Sequence, residues 1–457
     1  MNRNAGTPED FMTRLCHAVL KPDLLVEDAT RRLIGRAIAD TVAVAAAGFL
    51  EPAARNALAA YEGQGAVTWS GEQCESLEAA VLINGTASHA LDFDDVYVES
   101  MTHISTVLLP TVLRDGRDDP ETVLTAFAAG LVAARAVARR VGRGHYNLGW
   151  HGTGTIGALA SAAAAGRLEG LDADQMSNAF ALAASMSGGL QANFSTQAKP
   201  AHAGFAAVAG TRAARLAKAG MTGSRAVFET RGYPDLYGAG DGDIDPPDEA
   251  FEARPDQISV KLFPCCYATH RLIGLALDAR AALGDKLLDP TLRFEFSVPA
   301  GSIAILRFDK PDNGLEARFS KTYPAAVALL RGTPTLPDFY DAALHEPDIV
   351  AMMQRISVQE DQAQPSQGDI EFGQACLAIT RADAAVSQFT RAALPGSPID
   401  PPSPQALRDK IGGCLTVFES WTGQRLPILS RMSGLATEAW IPASYISSDE
   451  KSYGVKS

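Results

Sequence analysis

Small apolar residues recur at three- and four-residue spacing through the first half of the chain, and this pattern narrows the folds open to it. Arg31 to Leu50, Glu121 to Arg140, Gly157 to Leu168 and Ala206 to Ala219 each set Ala, Gly, Val or Leu along helical stripes. Side chains this short let helix axes approach closely, so the segments predict a compact all-α body. The longest uncharged stretch, Met176 to Ala198, is broken by Ser, Asn and Gln and predicts a buried helix pair. No run reaches the roughly 18 consecutive apolar residues of a membrane span.

Between Thr222 and Pro255 the pattern gives way to Gly, Pro and Asp, which predicts a surface loop. After Ala268 the texture changes. Leu292–Ser297, Ile303–Phe308 and Ala375–Ala382 read as strands, Arg318–Arg331 and Leu336–His345 as helices. A Pro-rich segment, Leu394 to Pro404, precedes a last helix over Gln405–Thr422. The chain is therefore expected to be mainly α: a helical domain from 1–268, an α+β domain from 269–400, and a return to the helical domain over 401–457.

Forty Lys and Arg against fifty-three Asp and Glu give a formal charge of −13. That balance argues against a nucleic-acid partner, which needs clustered cations. The first residues, MNRNAGTPEDFMTRL, lack the apolar core of a secretory signal. The six cysteines form no disulfide framework, and Cys265 and Cys266, being adjacent, lack the spacing of zinc or iron–sulfur ligands. A reduced, cytoplasmic protein without a membrane partner is expected.

Six of the eight histidines fall between His89 and His270, each in a polar or Gly-rich setting. The segments are NGTASHALDFDD (Asn84–Asp95), Met101–Thr106, Gly144–His151, Ala198–Gly204 and Lys261–Arg271. Groups that gain and lose protons near neutrality serve acid–base chemistry, and clusters mixing His, Lys, Asp and Arg point to one shared site. Asp92, Asp94 and Asp95 lie so close that one carboxyl should be raised in pKa or hydrogen-bonded. DFDD matches the DxDD string of proton-initiated terpene cyclases, but no second metal motif accompanies it. Gly152 to Gly157 spells GxGxxG without a preceding strand, so these glycines are expected at a helix N-terminus meeting a carboxylate rather than in a dinucleotide fold. Asp241, Asp243 and Asp245 have calcium-loop spacing, but Pro246 stands where that loop needs Gly. Lys199, ahead of Pro200, is expected outside helical conformation with its amine at a helix start.

Together these segments, with EARFSKTYPAAVALLRG (Glu316–Gly332) and PGSPIDPPSPQALRDK (Pro395–Lys410), resemble the MmgE/PrpD family over nearly the whole chain. The family includes 2-methylcitrate dehydratase, cis-aconitate decarboxylase and iminodisuccinate epimerase. The resemblance implies a homodimer, a helical domain built from both ends of the chain, a smaller α+β lid, and an active site between them needing no metal or organic cofactor. It implies Asp92, His103, His151 and Lys199 as catalytic residues, and His202, His270 and Arg271 as substrate-binding ones; Lys261 and Tyr146, in the same polar segments, are expected to bind substrate beside them. His103 and Asp92 would be the acid/base pair, His151 a second proton donor, and Lys199 and Arg271 the carboxylate holders. This chain has His103-Ile104-Ser105 where the family usually has His-Pro-Ser, and Ala198-Lys199-Pro200 where Thr-Lys-Pro is common. Val96 replaces a polar residue. GHYNLGWH and CYATH look more like the epimerase branch. The expected function is a cofactor-independent lyase or isomerase that moves a proton α to a carboxylate of a small polycarboxylic acid. The alternative is a catalytically silent dimeric polycarboxylate-binding protein on the same scaffold.

Overall fold

The structure, a computed structural model, describes residues 9–24, 27–114, 119–366, 369–382 and 384–446. The small-residue stripes become helices: α1 (Asp28–Gly48), α2 (Leu77–His89), α3 (Ile104–Val112), α4 (Pro120–Val141), α5 (Gly152–Leu168), α6 (Ala173–Met186) and α7 (Ala198–Lys218). α5 lies at the centre, buried from Gly152 to Gly166 and packed against α3, α4, α6 and α7. The absence of side chains lets α2 and α7 cross closely. A Cβ on Gly85 of α2 would stand 2.8 Å from the Gly204 Cα of α7, and one on Gly204 would stand 2.4 Å from the Leu82 carbonyl oxygen. The α2 C-terminus and the α7 N-terminus are thereby held side by side.

α4 has the length and hydropathy of a span (mean hydropathy 1.4 in its most apolar window), yet 89% of that window is buried inside the chain. Met176–Ala198 is not a helix pair. α6 ends at Met186, and Ser187-Gly188-Gly189 leads to a single 3-10 turn at Gln191–Asn193. Gly189, at φ 141°, adopts a backbone that few other residues tolerate.

The second half adds α8 (His270–Leu283), β1 (Leu292–Ala300), α9 (Tyr323–Arg331), β2 (Ile356–Pro365), β3 (Ala375–Arg381) and β4 (Ala384–Arg391). The sheet order is β2-β1-β3-β4, with β1 parallel to β2 and antiparallel to β3. Leu292, Phe294, Phe296 and Val298 of β1 alternate inward, pairing with Leu377 and Ile379 of β3 on a face covered by α8. Ile303–Phe308, expected as a strand, is turn and irregular backbone ending in a single parallel bridge from Phe308 to Ser320, while β2 takes the edge of β1. Arg318–Arg331 is helical only from Tyr323, and Leu336–His345 is two single turns. Finally α10 (Pro404–Thr422) packs on α1, where the Lys410 ammonium meets buried Asp40 at 2.7 Å and donates to the Phe93 carbonyl at 2.8 Å.

The apolar core falls into two main clusters. One gathers the helical body with Leu407–Ile441; the other gathers residues between Phe263 and Ile379 around the sheet. The polar motifs lie where the two clusters meet.

Candidate functional site

α2 ends at His89, and three residues later Asp92 adopts φ 51°, a left-handed conformation that Asp tolerates better than most residues. This turn carries Asp92, Asp94 and Asp95 back across the crossing of α2 and α7. Asp92 Oδ1 accepts from Lys199 Nζ at 2.8 Å and from Lys261 Nζ at 2.6 Å; Lys261 also donates to the Asp92 carbonyl at 3.0 Å. Lys199 lies in the first turn of α7, in helical conformation, because Pro200 in a first turn displaces no intrahelical hydrogen bond. Its ammonium also contacts His89 Nε2 at 2.9 Å, while His89 Nδ1 lies 2.9 Å from Asp94 Oδ1. Both His89 nitrogens are thus committed, Nδ1 as donor and Nε2 as acceptor.

His103 caps the start of α3, its N–H donating to Thr153 Oγ1 at 2.9 Å. Its Nδ1 faces two acceptors, Asp94 Oδ2 at 2.8 Å and the Asp95 carbonyl at 3.0 Å. Those acceptors fix the proton on Nδ1, which leaves the Nε2 lone pair directed towards Asp92 Oδ1, 4.0 Å away. Asp95 takes the hydroxyl and, at 3.4 Å, the amide of Ser105 in the first turn of α3.

Burial pushes the Asp95 carboxyl up to about 7, despite the Ser105 hydrogen bonds. Burial would also raise Asp92 and Asp94, but Lys199 and Lys261 outweigh it at Asp92, and His89 and His103 at Asp94, so both stay ionised. The lysines diverge. Burial wins at Lys199 and lowers it, whereas Asp92 and Asp94 win at Lys261 and raise it. Burial lowers His103 and His151 and takes His89 to about 3, so the cluster is neutral imidazole at neutral pH.

These groups surround a cavity of about 50 Å³, room for a few waters. Asp92, His103, Tyr146, His151, Phe194 and Lys199 line it from the helical side, and Lys261, Cys266, Tyr267, Ile305, Phe319 and Ile370 from the other. Phe194 and Phe319 flank Lys199 Nζ at 5.3 and 5.5 Å from their ring centroids, a contact that suits a desolvated ammonium. Larger hollows hold no such set; in the 460 Å³ groove beside Glu78, Arg212 is already paired with that carboxylate. His89, His103 and His151 bring ring nitrogens within 4.8 Å of one another, near enough to share a cation. However, both nitrogens of His89 are engaged and the Lys199 ammonium stands among them, so a divalent ion would meet repulsion.

Of the residues singled out from sequence, Asp92, His103, Tyr146, His151, Lys199 and Lys261 line the cavity. Three others lie elsewhere. His202 sits behind His151, with the two Nδ1 atoms 3.0 Å apart. His270 is buried against Phe263 and Tyr267, ring centroids 4.9 and 5.1 Å away, and burial takes it to about 3. Arg271 is no free carboxylate clamp, since its guanidinium is spent on the carbonyls of Phe372 at 3.0 Å and Glu371 at 2.9 Å. At the glycines after His151 a Cβ on Gly152 would meet the Met101 carbonyl and one on Gly154 the Gly188 carbonyl, at 2.6 and 2.0 Å. They serve close backbone packing. Sequence reasoning passed over His89, whose only signal was its place in the motif that carries Asp92. It also passed over Phe319, inside the Glu316–Gly332 motif, and Phe194, which nothing local marks.

The MmgE/PrpD N-terminal domain matches residues 18–242, and the MmgE/PrpD C-terminal domain matches residues 263–431. The chain is 29% identical to human cis-aconitate decarboxylase over 295 residues, 61% of each chain. It is 29% identical to the mouse enzyme of that name over 309 residues, 64% of this chain and 62% of the relative. To a cis-aconitate decarboxylase of Aspergillus terreus it is 24% identical, covering 62% of this chain and 64% of the relative. The chain thus spans a little over three-fifths of the length of these curated relatives. Both domain matches flank the cavity, and with them the chain belongs to the MmgE/PrpD family.

Proposed function

We propose that the protein is a lyase or isomerase that moves a proton at the carbon α to a carboxylate of a small polycarboxylic acid, using side chains alone. The observation that carries this reading is the buried pair Lys199–Lys261 clasping Asp92 beside a base-ready His103. Each ammonium has donor capacity beyond its contacts to Asp92 and to its neighbours. An incoming carboxylate competes with Asp92 for these donors, and in a dry cleft they stabilise the negative charge that develops on an enediolate. His103 Nε2 is the proton carrier, oriented from behind by Asp94 in the way a carboxylate orients a catalytic imidazole.

Given the relatives' names, cis-aconitate is the first substrate to test and decarboxylation the first reaction. When CO2 leaves, one C–C bond breaks and its electron pair is conjugated onto a neighbouring carboxylate as an enediolate. A C–H bond then forms at the α-carbon with a proton from the enzyme, so each turnover consumes one proton. A substrate carrying two or three negative charges raises His103 by charge proximity, making it an imidazolium in the complex although it is neutral in the free protein. Binding is therefore accompanied by proton uptake. The cavity is too small for a six-carbon tricarboxylate, so the segments bearing Ile305, Phe319 and Ile370 act as a lid that opens for entry and excludes water on closing.

The test is proton NMR in deuterated water with cis-aconitate, 2-methylcitrate and iminodisuccinate in turn. Deuterium at an α-carbon with loss of CO2 establishes decarboxylation, with loss of water dehydration, and with neither epimerisation. No incorporation from any of the three overturns the reading in favour of a silent binding protein. Because burial lowers His103, kcat/KM for a reaction that it begins as base should fall only below the ordinary histidine range.

A further inference from the structure

His151 is the one cavity histidine with a bare nitrogen and a second imidazole behind it. Its Nε2 is fully buried and has no partner among the described residues, although the ring lines the cavity. Its Nδ1 lies 3.0 Å from His202 Nδ1. His202 in turn lines a different hollow, of about 380 Å³, that opens at the surface between Gly154, Gly189, Asn193 and Phe205. The wall between is thin because it is built of glycine: a Cβ on Gly189 would lie 3.3 Å from His202 Nδ1, and one on Gly154 would enter the Gly188 carbonyl. Two imidazoles therefore bridge this outer hollow and the cavity.

An Nδ1···Nδ1 contact requires one ring to donate and the other to accept. With the proton on His202, His151 carries its own on Nε2 and presents an acid to the cavity. With the proton on His151, its Nε2 is bare and presents a base. We propose that His202 and His151 form a proton relay that recharges the cavity from solvent, resting on the proton-transfer reading above. In one passage water in the outer hollow gives a proton to His202 Nε2, the Nδ1 proton of His202 passes to His151 Nδ1, and the Nε2 proton of His151 goes to the enediolate carbon. Three N–H or O–H bonds break while two N–H bonds and one C–H bond form. The hydroxide left behind is neutralised by bulk buffer. When the cover opens, entering water gives a proton to His151 Nε2, the His151 Nδ1 proton returns to His202 Nδ1 and the His202 Nε2 proton leaves to the outer hollow, which restores both tautomers. Burial lowers both histidines, His202 to about 4, so the relay runs through neutral rings. It is a second proton source for the cavity, beside the proton that His103 takes up with the substrate.

His202→Asn discriminates relay from support. The Asn amide nitrogen stands near the place of Nδ1 and keeps a hydrogen bond to His151, but an amide does not pass a proton on. Expected are a fall in kcat of about tenfold or more, the lower part of acid–base effects, a KM within about twofold, and recovery of kcat as free imidazole is added. Unchanged kcat, or a loss that imidazole does not restore, overturns the relay. A second measurement needs no turnover: with 15N-labelled histidine, the His151 ring proton should exchange with solvent more slowly in His202→Asn than in the wild type. Equal exchange rates overturn the relay. Should the wild type convert none of the three test acids, the functional reading fails and the exchange rates still decide this one.

Discussion

The two walls of the cavity are built on different principles. The helical wall holds its charges by partners on helix ends and on the turn after α2: Lys199 by Asp92 and His89, beside the crossing of α2 and α7 at Gly85 and Gly204, and His103 by Asp94 and Thr153. The opposite wall supplies a single cation, Lys261, and beyond it neutral or apolar side chains such as Cys266, whose thiol burial pushes up to about 11, Ile305, Phe319 and Ile370. Chemistry is fixed on the side that cannot move without unpacking a helix crossing. Cover is placed on the side made of turns and loops, whose backbone is tied by fewer helix-to-helix contacts.

The sharpest way to break this contrast is to mutate one residue on each wall. His103→Ala should lower kcat by about 10²- to 10⁴-fold, the range for loss of a positioned acid/base group. Ile305→Ala should act chiefly on KM, by only a few-fold. Steady-state kinetics with whichever acid shows α-carbon exchange reads both, and comparable losses in kcat would show that cover and chemistry are not separated.

The next largest effect concerns the crossing. Gly85→Ala places a methyl against the Gly204 backbone at 2.8 Å, and overpacking of this kind costs about 1–3 kcal/mol. It should also part His89 from Lys199 and reduce activity in the material that folds. Gly413→Ala, in α10 with nothing within 4 Å of the new methyl, is the control; it should stabilise by about 0.5–1 kcal/mol through helix propensity. Denaturant unfolding of both variants decides whether the small-residue crossing is a constraint or an accident of composition.

The same contrast explains what the sequence made legible. The helical wall was visible because its information is local: small-residue stripes of period 3.6, and polar motifs placed where helices end. Asp95 answers the expectation that one of three adjacent carboxyls would be raised, since Asp92 meets two lysine ammoniums and Asp94 two imidazole N–H donors, whereas Asp95 has only Ser105 among the described residues. On the other side the decisive contacts are distant. Ile303–Phe308 has a strand's composition, but Ile356–Pro365, whose polar, mostly exposed sequence hides a strand, takes the pairing edge. Arg271 looked like a free clamp until the carbonyls of Glu371 and Phe372, a hundred residues on, closed around it. No local pattern encodes such pairings.

Arg271 therefore offers a smaller test of how the cover is held. Its two hydrogen bonds fix the backbone next to Ile370, which lines the cavity. Arg271→Lys loses the planar fork that spans both carbonyls. A rise in KM of a few-fold with kcat nearly unchanged is expected from a loosened cover. A large loss of kcat would instead assign the guanidinium to the reacting substrate.

The smallest effect separates titration from chemistry. His89, on the helical wall, and His270, buried under the sheet, are both held to about 3 by burial. Both are neutral when folded, yet in the unfolded chain each takes up a proton near the ordinary value of about 6.5. Protons therefore bind preferentially to the unfolded state as pH falls, and the stability present above about 6.5 is lost progressively towards pH 3. Asp95 has the opposite sign: raised to about 7, it contributes stability at low pH that declines from about pH 4 up to 7. His270→Gln keeps a side-chain donor beside the Pro395 and Phe263 backbone but cannot titrate. Thermal melts between pH 4 and 8 should show a shallower acid decline in this variant, with activity near pH 7 changed by no more than a few-fold. A decline as steep as the wild type's would mean that acid sensitivity resides entirely in the helical wall, and that the sheet side carries no part of it.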